Sequence, residues 1–225
     1  MLIVFVLLFV LIWFRRSQVP SIHMYLINLP RSKDRLNNFT KYYDKMKTKK
    51  PPMTIVEAVD GNAMKDTKLF KKWPGLTDKH TGYKGIQLST VKCLELATKQ
   101  SPVLDWAIIC EDDAELPDNI DFYKIIETYH DSKIIYLDSR NAKGHGVVPM
   151  CCTCCVMYHK SVFADMIKEL HPNTSTHITK HKASTGLATL TDWYISWLIK
   201  HRLNIPCSSH PIVQSGRFKS TLNGK

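Results

Sequence analysis

Glu111, Asp112 and Asp113 stand side by side, directly after the apolar run Trp106–Cys110. That run reads as a buried strand, and three adjacent acids at its end repel one another unless a cation or a positioned water offsets them. In an open α/β sheet, ligands gather at the carboxyl ends of strands, so this is where a metal-bound diphosphate would sit; the plainer alternative is an acidic turn. In an extended segment Glu111 and Asp113 share one face and Asp112 takes the other, so the three cannot serve one ion equally. An earlier apolar run, Ile22–Leu29, is followed by Arg31, Asp34 and Arg35. A guanidinium offers a planar fork of donors to phosphate, and Asp34 is placed to orient one of the arginines. The competing reading is a solvated helix start with Asp34 in its favourable first turn. Asp60-Gly61 ends a third run. It offers either a carboxylate beside a glycine that lets a ligand approach the backbone, or a plain Asp-Gly turn.

The elements that must position these residues alternate short apolar runs with helical periods, as an α/β sheet does. Ile22–Leu29 is the first strand, closed by Pro30, after which Ser32 caps a helix with Leu36, Phe39, Tyr43 and Met46 on one stripe. Lys47–Pro52 is a basic connector, and Met53–Val59 the second strand. Leu88, Val91, Leu94 and Ala97 mark the helix leading to the strand before the acids. Further strands are expected at Lys133–Leu137 and Cys151–Tyr158. Helices follow with Phe163, Met166, Ile167 and Leu170, and then with Leu190, Trp193, Tyr194, Trp197 and Leu198.

With 225 residues, 44% of them hydrophobic, the chain supports one domain with a full core. Residues 1–16 read as a hydrophobic membrane anchor and 17–225 as the main domain. The net charge of +11 suits a polyanionic partner. The lysines are scattered, however, and no basic arm or RNA-binding aromatic signature accompanies them, so nucleic acid is not the expected partner. Met1–Phe14 is continuously apolar and ends at Arg15-Arg16. It is short for a hydrocarbon core of about 30 Å, so it reads as a marginal single-pass span with snorkelling arginines or as an interfacial anchor. Both arginines lie C-terminal to it, which favours holding the main domain on the cytoplasmic side. Seven cysteines, an odd number in a chain this large, fit a reducing compartment. The Cys151-Cys152-Thr153-Cys154-Cys155 run lacks zinc-ligand spacing and reads as small thiols of a core strand.

Taken in order, YLINLPRSKDR at Tyr25–Arg35, AVDG at Ala58–Gly61, CEDDAEL at Cys110–Leu116, VMYHKS at Val156–Ser161 and TDWYISWL at Thr191–Leu198 resemble glycosyltransferase family 25. That family includes bacterial lipooligosaccharide galactosyltransferases and collagen hydroxylysine galactosyltransferases. The resemblance implies a GT-A fold, a Rossmann-like nucleotide-binding sheet. It also implies inverting transfer of a hexose from a UDP-sugar to a glycan, lipid-linked or protein hydroxyl acceptor. Arg31, Asp34, Arg35, Asp60, Gly61, Glu111 and Asp112 become expected donor-binding residues. The acidic motif corresponds to a DxD equivalent holding Mn²⁺ or Mg²⁺ through Asp113, with Glu111 assisting and His210 as the late histidine that many such enzymes add. Inversion needs a base on the acceptor hydroxyl, and Asp192 matches the acid that the family carries before its last helix. Gln214 falls in the terminal donor-side segment. One departure stands out: where the family usually reads GEIGCxxSH, this chain reads GYKGIQLSTV at Gly82–Val91, with Thr90 in place of the histidine. The alternative expectation is therefore a catalytically inactive GT-A-like scaffold at a membrane surface.

Overall fold

In a computed structural model, the described residues are 19–69, 81–102, 104–138, 153–175, 195 and 198–215. They form a mixed sheet of seven strands in the order β2-β1-β3-β6-β5-β7-β4. The strands are β1 (Ile22–Asn28), β2 (Met53–Glu57), β3 (Trp106–Glu111), β4 (Ala114–Glu115), β5 (Ile134–Asp138), β6 (Cys155–His159) and β7 (Cys207–Ser215). The helices are α1 (Lys33–Lys45), the single turn α2 (Gly61–Met64), α3 (Thr81–Thr98), α4 (Phe122–Thr128) and α5 (Phe163–Leu170). A 3-10 turn at Lys160–Val162 leads into α5, and a π-helical turn, Ile199–Leu203, precedes β7.

β1, β2 and β3 are mutually parallel, with Ile27 opposite both Val56 and Glu111. β6 is inserted antiparallel between β3 and β5. The inner strands are apolar at consecutive positions because both faces are covered. Tyr25, Ile27, Ala107, Ile109, Tyr136, Val156 and Tyr158 point to one face, where Leu88, Val91 and Leu94 of α3 and Phe163 and Met166 of α5 pack on them. Met24, Leu26, Ile108, Cys110, Ile135, Leu137 and Met157 point to the other, against Phe39 of α1 and Phe122 and Ile125 of α4. Period-2 strands between period-3.6 helices therefore produce three layers.

The expected elements recur with two changes at the ends that matter. Ser32 occupies the cap position of α1 but makes no side-chain cap; its carbonyl instead accepts from Asn28 Nδ2 at 3.2 Å. β2 stops at Glu57, short of the expected Val59, because the Val59 amide leaves the ladder to donate to Ser89 Oγ of α3 at 2.8 Å. Cys154 and Cys155 are both buried thiols, but the strand expected from Cys151 begins only at Cys155, with Cys154 just before it. Cys151 and Cys152 lie outside the described residues, as does most of the helix expected around Leu190–Leu198, of which Ile195 and Leu198 are seen buried. Among the described residues no helix is long and apolar enough to cross a membrane, and Met1–Phe14 is not among them.

Between α3 and α5 lies a buried polar group without a counterpart in the sequence reading. Lys84 of α3 is buried, with its ammonium 3.3 Å from Gln87 Oε1, while Gln87 Nε2 donates to the Leu170 carbonyl at 2.6 Å. Burial pushes the Lys84 ammonium down to about 7. Above that pH the folded chain carries a neutral amine where the unfolded chain still binds a proton, so stability rises with pH until the ordinary lysine range is reached. Between pH 8 and 9.5, wild type is expected to gain about 1.4 kcal/mol per pH unit that Lys84→Met does not. Denaturant titrations of both proteins at several pH values check this; parallel stability curves would refute a buried, neutralised Lys84.

Candidate active site

A cavity opens at the carboxyl ends of β1, β2 and β3, lined by Arg31, Arg35, Asp60, Gly61, Glu111, Asp112 and Asp113, with Gly82, Ile86 and Ser89 of α3 forming one wall. The parallel pairing of the three strands is what brings these residues together. In register, Asn28 lies opposite Glu57 at the end of β1 and β2, and Ile27 opposite Glu111 at the end of β3. The segments after each strand therefore leave the sheet at one edge, the usual position for ligands in such sheets.

The acids do not continue the strand. Asp112 and Asp113 form a turn before β4, which removes the alternation expected of an extended segment and lets one guanidinium serve both. Arg35 Nη2 lies 2.6 Å from Asp112 Oδ1 and 3.2 Å from Asp113 Oδ2. Asp112 is the more buried of the two, and Asn28 Nδ2 donates to its second oxygen at 2.7 Å. Burial pushes the Asp112 carboxyl up to about 6, against the opposing pull of Arg35 and of the Asn28 hydrogen bond. Asp112 is thus an internal brace that ties β1 and α1 to the end of β3. Glu111 accepts from Thr153 Oγ1 at 3.4 Å and faces the cavity.

On the other side, Arg31 forms an ion pair with Asp60. That guanidinium holds the Asp60 carboxyl below its ordinary value, chiefly by its hydrogen bond. Asp60 also caps α2 by accepting from the Asn62 amide at 3.0 Å. Gly61 has a different task from the one expected of it: a Cβ there would lie 1.9 Å from the Thr81 carbonyl oxygen, so the glycine admits the first turn of α3. Gly85 is its complement, since a Cβ there would lie 2.4 Å from the Val59 carbonyl oxygen. Ser89 locks the same junction by donating to the Gly85 carbonyl at 2.7 Å while accepting from Val59.

Two expected residues, Asp34 and His210, are absent from the cavity lining, and a third, Asp192, cannot be placed against it. Asp34 is exposed on the first turn of α1, and the carboxylates that orient the arginines are Asp60, Asp112 and Asp113. His210 lies on β7, separated from β3 by β6 and β5. Its Nδ1 is 3.2 Å from the Tyr129 hydroxyl and its ring packs edge-on against Tyr129, so it does not join the acids. Asp192 lies outside the described residues. The backbone of Gln214 pairs with Glu115 of β4. Thr90 is buried and turns its hydroxyl back to the Ile86 carbonyl at 3.1 Å. Sequence reasoning missed Asn28 and Thr153, whose single polar groups in apolar runs carry no periodic signal.

A hard divalent cation takes oxygen ligands, which the acids at the strand end can offer. Among the described residues, no three His, Cys, Asp or Glu side chains close into a metal-ligand set. Mg²⁺ and Mn²⁺ sites of the phosphate-binding kind use one or two protein carboxylates, with phosphate oxygens and water supplying the rest. Glu111 and Asp113, both on the cavity wall, fit that role, whereas Asp112 is already committed to Arg35 and Asn28.

Similarity to solved structures agrees with this arrangement at the level of fold. The chain is similar to a glycosyltransferase involved in the glycosylation of the major capsid of PBCV-1, at 11% identity and a TM-score of 0.52, over 85% of this chain and 82% of that one. It is more distantly similar to the apo-form glycosyltransferase GlyE of Streptococcus pneumoniae TIGR4, at 6% identity and a TM-score of 0.47, over 82% of this chain and 44% of that one. No curated protein sequence matches the chain. Residues 21–145, more than half of the chain and all of the cavity lining, match the sequence model of glycosyltransferase family 25 (LPS biosynthesis protein). The chain belongs to glycosyltransferase family 25, and its enzymatic class is that of a glycosyltransferase.

Proposed function

We propose that the chain is a GT-A, metal-dependent, inverting glycosyltransferase that moves galactose or glucose from a UDP-sugar to a glycan, lipid-linked or protein hydroxyl acceptor. The observation that carries this reading is the convergence of Arg31, Arg35, Asp60, Glu111 and Asp113 on one cavity at the strand ends. Arg31 and Arg35, each held by carboxylates, present guanidinium donors to a diphosphate. Glu111 and Asp113 would hold Mn²⁺ or Mg²⁺, which when bound neutralises charge developing on the departing nucleoside diphosphate. Asp60 and the Gly61–Asn62 backbone border the side of the cavity suited to the ribose. Asp192 is assigned the acceptor proton: a carboxylate in reach of the hydroxyl removes it as the glycosidic bond forms on the face opposite the leaving group.

The test is UDP release by the full chain in detergent, with UDP-galactose and UDP-glucose, with and without Mn²⁺, because hydrolysis needs no known acceptor. Metal-dependent UDP release is expected, and Asp192→Asn should lower turnover by about 100-fold or more while leaving UDP affinity intact. Absence of binding to either donor would overturn the UDP-hexose reading. Residues 1–16 are assigned as a single-pass anchor, from the apolar Met1–Phe14 and the arginines that follow it, with residues 17–225 as a cytoplasmic catalytic domain. Protease added outside sealed inside-out vesicles should degrade the domain; protection until detergent is added would reverse that sidedness.

A further inference from the structure

We propose that Cys110 and Cys155 are a disulfide site that clasps the acid-bearing end of β3 to β6. The two residues are directly opposed in the antiparallel β3–β6 ladder. The Glu111 amide donates to the Cys154 carbonyl at 2.8 Å, which makes Glu111 and Cys154 a hydrogen-bonded pair. Alternation along the ladder then makes Cys110 and Cys155 a non-hydrogen-bonded pair, the kind whose Cα atoms approach to about 4.5 Å and whose side chains lean together. That separation lies inside the range of about 4.4–6.8 Å that a disulfide spans. The two sulfurs are already 3.0 Å apart and both side chains are fully buried. Cys154, the neighbouring thiol, is excluded as the partner because it stands opposite Glu111 and bonds toward Asp138.

The oxidant is a low-molecular-weight disulfide, so the bond forms only where that disulfide prevails over its thiol; under the reducing conditions of a cytoplasmic domain the pair stays as two thiols. One protein thiolate attacks a sulfur of that disulfide and expels the first small thiol. The second protein thiolate then attacks the protein-side sulfur of the mixed disulfide and expels the second, so the two cysteines are oxidised, the small disulfide is reduced to two thiols, and these carry away the two protons. In the folded chain both sulfurs are sealed in the core and burial pushes the Cys155 thiol up, so exchange belongs to the folding chain before the ladder closes. Once formed, the bond joins residues 45 apart in sequence, one position before Glu111.

The experiment refolds the full chain in a mixture of oxidised and reduced glutathione, alkylates free thiols under denaturing conditions, and maps the peptides by mass spectrometry without reduction. The expected result is loss of two alkylatable thiols from the seven, a linked peptide pair containing Cys110 and Cys155, and a melting temperature about 10 °C above that of the chain unfolded and refolded in dithiothreitol. Cys93→Ala should keep the link and the shift, whereas Cys110→Ala should abolish both. Full alkylation of both cysteines after oxidative refolding, or a link from either to any other cysteine, would overturn the proposal. Mapping the unsubstituted chain settles the matter even if Cys110→Ala fails to fold.

Discussion

Asp113→Asn is expected to lower Mn²⁺-dependent UDP-sugar turnover by about 100-fold or more, the scale on which removal of one preorganised charge-stabilising group acts. Asparagine keeps the size of the side chain and one carbonyl oxygen but loses the charge, so a divalent ion and a diphosphate no longer share an anionic ligand at that place. Arg35 retains its 2.6 Å contact to Asp112, and the fold is therefore expected to keep its melting temperature within a few degrees. Asp112→Asn should behave differently. It removes the brace between α1, β1 and β3, so its loss of activity should come with a lowered melting temperature. Asp34→Asn is the matched control on the exposed face of α1 and should leave turnover unchanged within about twofold. Full turnover of Asp113→Asn at limiting Mn²⁺ would mean that the acidic cluster is not the metal site.

Gly61→Ala should be among the most destabilising single-methyl changes available in this chain. The added Cβ would lie 1.9 Å from the Thr81 carbonyl oxygen and 2.4 Å from its carbon, and backbone cannot rotate out of the way as a side chain can. Relief requires α3 to move off the β2–α2 junction, which breaks the Ser89 hydrogen bonds to Val59 and Gly85 as well. Overpacking of this kind costs about 3 kcal/mol or more, equivalent to about 6–12 °C in melting temperature for a chain of this length. Because Asp60, Gly61 and Asn62 also border the cavity, donor affinity should fall with the melting temperature. A Gly61→Ala protein that melts within 2 °C of wild type would show that the α3 approach is looser than its geometry states.

Much of the architecture was legible along the chain. β1 and β3 announce themselves as consecutive apolar residues because a strand covered on both faces has no polar side to show, and α3 shows the helical spacing of Leu88, Val91 and Leu94 on its buried stripe. The candidate site was half legible. Arginines after β1, Asp60 after β2 and three acids after β3 are recognisable because each follows an apolar run, and parallel pairing then sends all three to one edge. Asp34 and His210 do not line the cavity, because proximity in sequence, or lateness in it, says nothing about which side of a helix or which strand of a sheet faces it.

By itself the sequence determined the layered α/β class, the family, and the presence of a basic and acidic residue set at successive strand ends, since these depend on side-chain periodicity and local order. Tertiary structure alone decided the antiparallel insertion of β6 and the closeness of Cys110 to Cys155. It also decided the sharing of Arg35 between two carboxylates and the use of Gly61 as a seat for α3. The reason is physical: hydrophobic patterning records which face of an element is buried, whereas strand order and turn geometry record which distant groups meet there. Whether Asp112 serves as brace or ligand follows from its burial and partners, and no spacing of residues along a chain encodes those.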